Sequence, residues 1–507
     1  MTIFNSVFTW FMKKRIHQIE LFMKYPNEVQ EEWFEQLTAL AGHTEWGKKY
    51  DYKSINNLHD FKDRVPIQNY DTLKPYIERM LKGEKNVLWP SEIRWFAKSS
   101  GTTNDRSKYI PVSDEALEEC HFKGGKDLLT IYFNNRPDTR MFTGKILTLG
   151  GSHQVSQLSA DTSFGDLSAV IMKNLPLWAE FSRTPNLDIT LMENFEEKIE
   201  KVAHATKDVN VTSLGGVPTW NILLLKRILE ITGKKNMLEV WPNLELYFHG
   251  AVSFTPYREQ FKNLIPGDNM YYLETYNASE GFFGIQDTDN GDMLLMLDYG
   301  IFYEFLPVEN LHDENPATLT LDEVELEKNY APIISTNAGL WRYLIGDTIR
   351  FTCLSPFRIQ ITGRTKHFIN AFGEELIIDN AERALDEACR QTGAIIRDYT
   401  AAPVYFDSNT NGAHEWIIEF EKKPAEFERF VDLLDETLRR INSDYDAKRF
   451  KDMALRRPII CVAPQGTFFN WMKEKGKLGG QHKVPRLANN REYADSILKM
   501  MEIVGSE

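Results

Sequence analysis

The alternation of polar and apolar positions changes period twice along the chain. In the first hundred residues the apolar side chains recur at helical spacing. "NEVQEEWFEQLTALAGHTEWGKKY" carries a period near 3.6 that breaks near Gly42, and "NYDTLKPYIERMLKG" has an Asp start and a Gly stop. The opening stretch, "MTIFNSVFTWFMKKRIHQIELFMKYPNEVQEEW", predicts an amphipathic helix leading into the domain. From Gly144 short apolar runs alternate with helices: "KILTLGGSH", "VTSLGGVPTWNILLLKRILEITG", "LELYFHGAVSFTP", "MYYLETYNASEG" and "DMLLMLDYGIFYEFLP". That alternation predicts an α/β domain with a mostly parallel sheet. After "ITGRTKHFINAFGEELII" the pattern shifts again. "DNAERALDEACRQTG" reads as a helix opened by Asp379 or Asn380 and closed by Gly393, followed by strands "IIRDYTAAPVYF" and "HEWIIEFEK" about the turn-rich "DSNTNGA". A long helix from about Ala425 to Lys448, the strand "RRPIICVAP" and two short helices complete an α+β unit of normal domain size. The expected boundary falls between Arg364 and His367, giving domains 1–364 and 365–507.

Composition narrows the class. The chain has 507 residues, 42% of them hydrophobic, and a formal charge of -14. The apolar content excludes a disordered protein, and the acidic balance without a Lys/Arg-rich block excludes one that binds nucleic acid by neutralising phosphates. Cys120, Cys353, Cys389 and Cys461 form no C-x-x-C pair, which argues against a disulfide framework or a structural zinc site and fits a reducing cytosol. The first residues place apolar side chains before basic ones, the reverse of a secretory signal. No apolar run reaches membrane-spanning length, so the expectation is a cytoplasmic protein with no stable membrane association.

Four segments carry candidate chemistry. "SSGTTNDRSK" offers unhindered backbone N–H groups, hydroxyls and a cation through Ser99, Ser100, Gly101, Thr102, Thr103 and Lys108, which is what a phosphate-cradling loop requires, although it is not a Walker A loop. The plain alternative is a polar surface loop. "ETYNASEGFFG" offers Tyr276 as a flat face for a purine, Ser279 as a hydroxyl beside it and Glu280 as a hard oxygen ligand for Mg2+ carried on phosphate; otherwise it is a strand end with a turn. In "GLWRYLIGDTIRF" the carboxylate of Asp347 can accept from both vicinal hydroxyls of a ribose, or Gly346-Asp347 is a β-turn. In "ITGRTKHFINAFGEEL" Arg364 would reach the same nucleotide, or serve as a salt-bridged linker. A later "GQHKVPRL" holds Lys483 before Pro485. No G-x-S-x-G, H-E-x-x-H, kinase or G-x-G-x-x-G signature is present.

In this order, "SSGTT" with "KYIP", "YNASEG", "WRYLIGD", "GR" and "HKVPR" make the chain resemble the plant auxin-responsive acyl acid amido synthetases, the Gretchen Hagen family, and their bacterial relatives within the adenylate-forming superfamily. The resemblance covers essentially the whole length. It implies a large N-terminal adenylate-forming domain, with α/β subdomains and a β-barrel-like part, and a small mobile C-terminal α+β domain. It also implies activation of a small carboxylic acid by ATP and Mg2+ as an acyl-adenylate, then transfer to the amino group of an amino acid.

Carried over by position, the first loop with Lys108 would hold phosphates. Gly250, Ala251 and Tyr276, Asn277, Ala278, Ser279 and Glu280 would wall the adenine and the metal, Asp347 would bind ribose, Arg364 would support it, and Lys483 would swing in with the small domain. Glu280 and Lys483 would be catalytic. The chain departs from the family pattern at Asn104-Asp105, at Asn277-Ala278 and at Lys366. Val217, Trp220, Phe254 and Phe282 are candidates for the acyl pocket; His153 and His249 read as structural. The rival readings are an AMP-forming ligase with coenzyme A as thiol acceptor and a catalytically silent nucleotide-binding protein. A monomer or weak dimer is expected.

Overall fold

The computed structural model describes residues 3–99, 108–149, 155–157, 162–192, 195–250, 254, 257–289, 291–311, 313–365, 368–369, 371, 374, 376–405, 412–442, 445–446, 449, 455–476, 484–488 and 490–504. The chain divides into two compact units. The first comprises Met1–Val252, Gly267–Ile345 and Ile349–Gln360, and the second comprises Ser253–Pro266, Gly346–Thr348 and Ile361–Glu507.

The first unit opens with helices Ile3–Lys24 and Pro26–Ala41. Pro26 stands in the first turn, where its missing N–H costs nothing. Gln30, Phe34, Leu37, Thr38 and Ala41 form one buried stripe, as the helical period requires. Gln30 is buried because its amide is used: it donates to the carbonyls of Leu297 and Ile301 and accepts the Tyr303 N–H. The first helix is pinned by Arg15, whose guanidinium bonds Asp127 (2.6 Å) and Asp298 (2.5 Å). Helix Tyr70–Leu81 is capped by Asn69 rather than started by Asp71: Asn69 Oδ1 accepts the Thr72 N–H at 3.1 Å, while Asp71 sits in the first turn against the helix dipole.

The central sheet has twelve strands among the described residues and is mixed rather than mostly parallel. Arg183–Thr184, Lys145–Thr148, Val211–Gly215, Leu246–Gly250 and Tyr271–Ala278 lie side by side in parallel. Beyond Tyr271–Ala278 the strand pairs Gly281–Gln286, Met293–Leu295 and Phe357–Arg364 follow antiparallel, as do Asn329–Thr336 and Ile301–Pro307. The change follows from loop length. Tyr271–Ala278 and Gly281–Gln286 are joined by two residues, too few for the crossover a parallel pair needs. A separate four-stranded sheet holds the hairpin Trp95–Ser99 and Lys108–Val112.

In the second unit strands Ile395–Val404, Ala413–Lys422 and Ile459–Ala463 form a sheet, and helices Ile378–Thr392 and Phe427–Ile441 bury Leu385, Leu434 and Leu438 with Tyr399 and Trp416. The first of these helices begins at Ile378, not at Asp379 or Asn380; the Asn380 side chain reaches back to accept the Ile377 N–H at 3.3 Å. Gly393 closes it in the left-handed region (φ 68°). The second ends at Ile441, short of Lys448, because Asn442 accepts the Tyr445 N–H (2.9 Å) and donates to the Glu374 carbonyl (2.9 Å). Segment Ser253–Pro266 belongs here through Gln260, which donates to the Ile396 carbonyl, and Tyr257, whose hydroxyl accepts from Arg486. No helix among the described residues is long and apolar enough to cross a membrane.

Candidate active site

In open α/β sheets ligands bind beyond the carboxyl ends of parallel strands. Here the register aligns those ends, pairing Thr148 with Gly215, Gly215 with Phe248 and Gly250 with Thr275. Gly250 has a packing reason to be glycine: a Cβ there would stand 2.5 Å from the Thr275 carbonyl oxygen. Tyr271–Ala278 continues past this edge into the hairpin, and Ser279-Glu280 is its turn, closed by the Ala278–Gly281 pair. Neither turn residue has a positive φ, so the turn is not the mirror-image type usual in two-residue hairpins, and a bulge between Phe282 and Gly284 absorbs the mismatch.

The chemistry of this turn is unusual. Ser279 is 4% exposed and its Oγ is buried with no hydrogen-bond partner, although a hydroxyl lost to water without a bond costs about 1–3 kcal/mol. Glu280 beside it is half-buried. Tyr276 is 5% exposed, its ring packed against Phe283 at 4.8 Å between centroids. Asn277 points to the other face, against His121. Burial pulls the imidazole of His121 down to about 4, and the Asn277 amide opposes that shift. Nδ1 of His121 and Oδ1 of Asn277 nevertheless lack a well-aligned partner. Among the described residues no cluster of three or more His, Cys, Asp or Glu could hold a metal ion. A single carboxylate does suit Mg2+ when phosphates and water complete its octahedron.

The first loop is seen through its ends. Ser99 and Lys108 are paired across the hairpin, so the candidate cation stands where the loop returns to the sheet. Ser100, Gly101, Thr102 and Thr103 lie outside the described residues, as do Ala251, His153 and Lys483; for Ser99 and Arg364 the backbone is described. In the second unit the third and fourth motifs meet. Gly346 takes a positive φ of 97° and its carbonyl accepts the Thr365 N–H at 2.8 Å, while Thr362 bonds Thr348 at 3.0 Å. Asp347, 8% exposed, and Arg364 therefore sit on adjoining segments.

Of the acyl candidates, Val217 and Trp220 stand together at the start of helix Pro218–Thr232. Phe254 belongs to the second unit and packs on Phe261, and Phe282 lies over Gly124 and Tyr299. His249 is buried with its ring against Tyr247. Sequence reasoning passed over Cys120 and His121. Their only trace is two mildly polar residues on the buried face of "EALEECHFKGG".

A mixed sheet whose central hairpin carries a buried unpaired hydroxyl beside a carboxylate, followed by a small α+β unit, is a two-unit α/β architecture. The chain belongs to the GH3 family: it matches the GH3 family N-terminal domain over residues 15–270, the central domain over 294–364 and the C-terminal domain over 379–492. It is 23% identical to the indole-3-acetic acid-amido synthetase GH3.3 of Arabidopsis thaliana, covering 93% of this chain and 91% of that one. It is 22% identical to the jasmonoyl–L-amino acid synthetase JAR4 of Nicotiana attenuata, covering 93% and 92%. Among solved structures it resembles the AtGH3.15 acyl acid amido synthetase in complex with 2,4-DB (TM-score 0.80, 19% identity, 97% and 96% coverage). It also resembles 2-hydroxyisobutyryl-CoA ligase (TM-score 0.60, 12% identity, 94% and 91% coverage). At these identities the structural likeness is one of fold.

Proposed function

We propose that this chain is an AMP-forming acid–amino acid ligase. The carboxylate oxygen of a small acid attacks the α-phosphorus of ATP, the bond to the bridging oxygen breaks and pyrophosphate leaves. The amino group of an amino acid then attacks the acyl carbon, forming the amide and releasing AMP and a proton. The observation that carries this reading is Ser279 Oγ, buried and unpaired beside Glu280 at the turn. An unpaired hydroxyl beside a carboxylate has a lost bond that a phosphate oxygen would replace.

In this reading residues 1–364 supply most of the adenylation domain and 365–507 most of a mobile lid, acting in the cytoplasm, with Ser253–Pro266, Gly346–Thr348 and Ile361–Arg364 clustering with the second unit. Glu280 would hold Mg2+, which when bound would offset the charge between acid and triphosphate. Ser99 to Thr103 and Lys108 hold phosphates, Gly250 and Ala251 with Tyr276 to Ala278 flank the base, Asp347 and Arg364 hold the ribose, and Lys483 brings an ammonium to the α-phosphate. Val217 and Trp220 border the acid, with Phe254 and Phe282 as further candidates.

Pyrophosphate release with ATP and Mg2+ against a panel of carboxylic acids, with and without mixed amino acids or coenzyme A, tests the proposal. Acid-dependent release with a conjugate that requires amino acids is the expected result. A conjugate that requires coenzyme A instead, or ATP binding with no turnover on any acid, overturns it. Lys483→Ala is expected to abolish adenylation while ATP affinity stays within several-fold.

A further inference from the structure

Residues Leu117–Phe122 form a single π-helical turn, an uncommon conformation that recurs at functional sites. It packs on the hairpin face that carries Asn277 and Phe282, which are paired across the strands on either side of Ser279-Glu280. Cys120 Sγ accepts the Phe282 N–H at 3.1 Å and directs its own S–H to the Phe282 carbonyl at 4.0 Å. This contact falls at the bulge, where the strand ladder shifts register. His121 lies against the Asn277 amide. One turn later Gly124 admits the Phe282 ring, since a Cβ there would stand 2.5 Å from it.

The Phe282 strand is thus gripped one step beyond the turn, and His121 lies beside Asn277 on the facing strand. The grip is uncharged at neutral pH: burial pushes the Cys120 thiol up to about 12 and His121 down to about 4. It adds no cation that would compete with the metal for Glu280.

We propose that Cys120 and His121 are positioning residues that clamp the hairpin about Ser279-Glu280 and fix the direction in which the Glu280 carboxylate meets the metal on ATP. The inference rests on the ligase reading for the role of Glu280. Such second-layer support is what holds a coordinating group within the few tenths of an ångström its chemistry tolerates.

The test uses the full chain, wild type, Cys120→Ala and Cys120→Ser, with two readouts that need no acid substrate. Amide hydrogen exchange at Phe282 reports the clamp, and calorimetric ATP binding at graded Mg2+ reports the presentation of Glu280. Cys120→Ala is expected to speed exchange at Phe282 about tenfold and to raise the Mg2+ needed for half-maximal binding about fivefold, with ATP affinity at saturating Mg2+ within about twofold. Cys120→Ser keeps an acceptor for the N–H and is expected to restore both. Unchanged exchange, unchanged Mg2+ dependence, or a wild-type chain whose ATP binding ignores Mg2+ each overturns the clamp. If Cys120→Ala does not fold, His121→Gln is read by the same two measurements and held to the same expected shifts. A chain that shows both shifts yet adenylates no acid overturns the ligase reading and leaves the clamp standing.

Discussion

In "GLWRYLIGDTIRF" Arg342 and Trp341 are bonded into the fold, whereas in "ETYNASEGFFG" Asn277 and Ser279 keep buried polar atoms without a hydrogen bond. Arg342 uses all five guanidinium donors. Two go to Glu304 (2.9 and 2.8 Å), one to Thr318 (3.1 Å), and two to the carbonyls of Lys62 (3.0 Å) and Val65 (2.6 Å). Trp341 donates its indole N–H to Leu88 at 3.0 Å. At the hairpin, by contrast, Ser279 Oγ and Asn277 Oδ1 are buried without a partner. The two segments treat their buried polar groups in opposite ways. A fully bonded buried group stabilises the native state, and an unbonded one costs stability that folding alone does not explain.

The largest effect expected from this contrast is on stability. Arg342→Ala would leave Glu304, 1% exposed, as an uncompensated buried charge, and is expected to cost about 3–5 kcal/mol. Chemical denaturation measures it. The folded fraction should keep kcat within about twofold; a kcat loss at unchanged stability would move Arg342 into the site and dissolve the contrast.

Glu280→Gln is the reciprocal case. Acid-dependent pyrophosphate release is expected to fall by about a hundredfold or more, the scale of a lost electrostatic stabiliser, while the denaturation midpoint hardly moves. Loss of stability with activity retained would return the turn to the fold.

This contrast explains how much the sequence could tell. The helix periods, the parallel strands up to Tyr271 and the second unit's β-α-β pattern were legible because each is written in local spacing. The turn at Ser279-Glu280 was legible too, because Asn277 and Gly281 flank it in sequence. The antiparallel half of the sheet was not, since pairing partners such as Met293 and Ile359 are far apart in sequence. Nor was the membership of Ser253–Pro266 in the second unit, which depends on single long-range bonds from Gln260 and Tyr257. Cys120 and His121 escaped notice because a buried thiol and imidazole look like core until the strand they grip is known.

A smaller effect separates the two segments by pH. The folded state holds His121 at about 4, below its ordinary 6.5, so the unfolded chain binds the extra proton first as pH falls. Stability is therefore expected to decline from about pH 6.5 towards pH 4, by about 1.4 kcal/mol at pH 5.5 from this group. Denaturant midpoints at pH 7.5 and 5.5 measure the loss, and His121→Gln should remove that share of it. A variant as acid-sensitive as the wild type would mean that the imidazole already shares its proton with a partner in the folded state.

Ser279→Ala gives the smallest shift and the sharpest sign. Removing a hydroxyl that contributes to packing normally destabilises, but here the oxygen is buried and unbonded, so its deletion is expected to leave stability unchanged or raise it by up to about 1 kcal/mol. The same change removes a donor to phosphate. A hydrogen bond to a charged group is worth about 1.5–3 kcal/mol, which predicts ATP affinity lower by about tenfold or more. Measured together, by denaturation and by calorimetry, the two effects should run in opposite directions, as they would not for any residue of the Arg342 kind. If stability falls and affinity does not, Ser279 is bonded in the folded protein and the hairpin belongs with "WRYLIGD" as a structural mark.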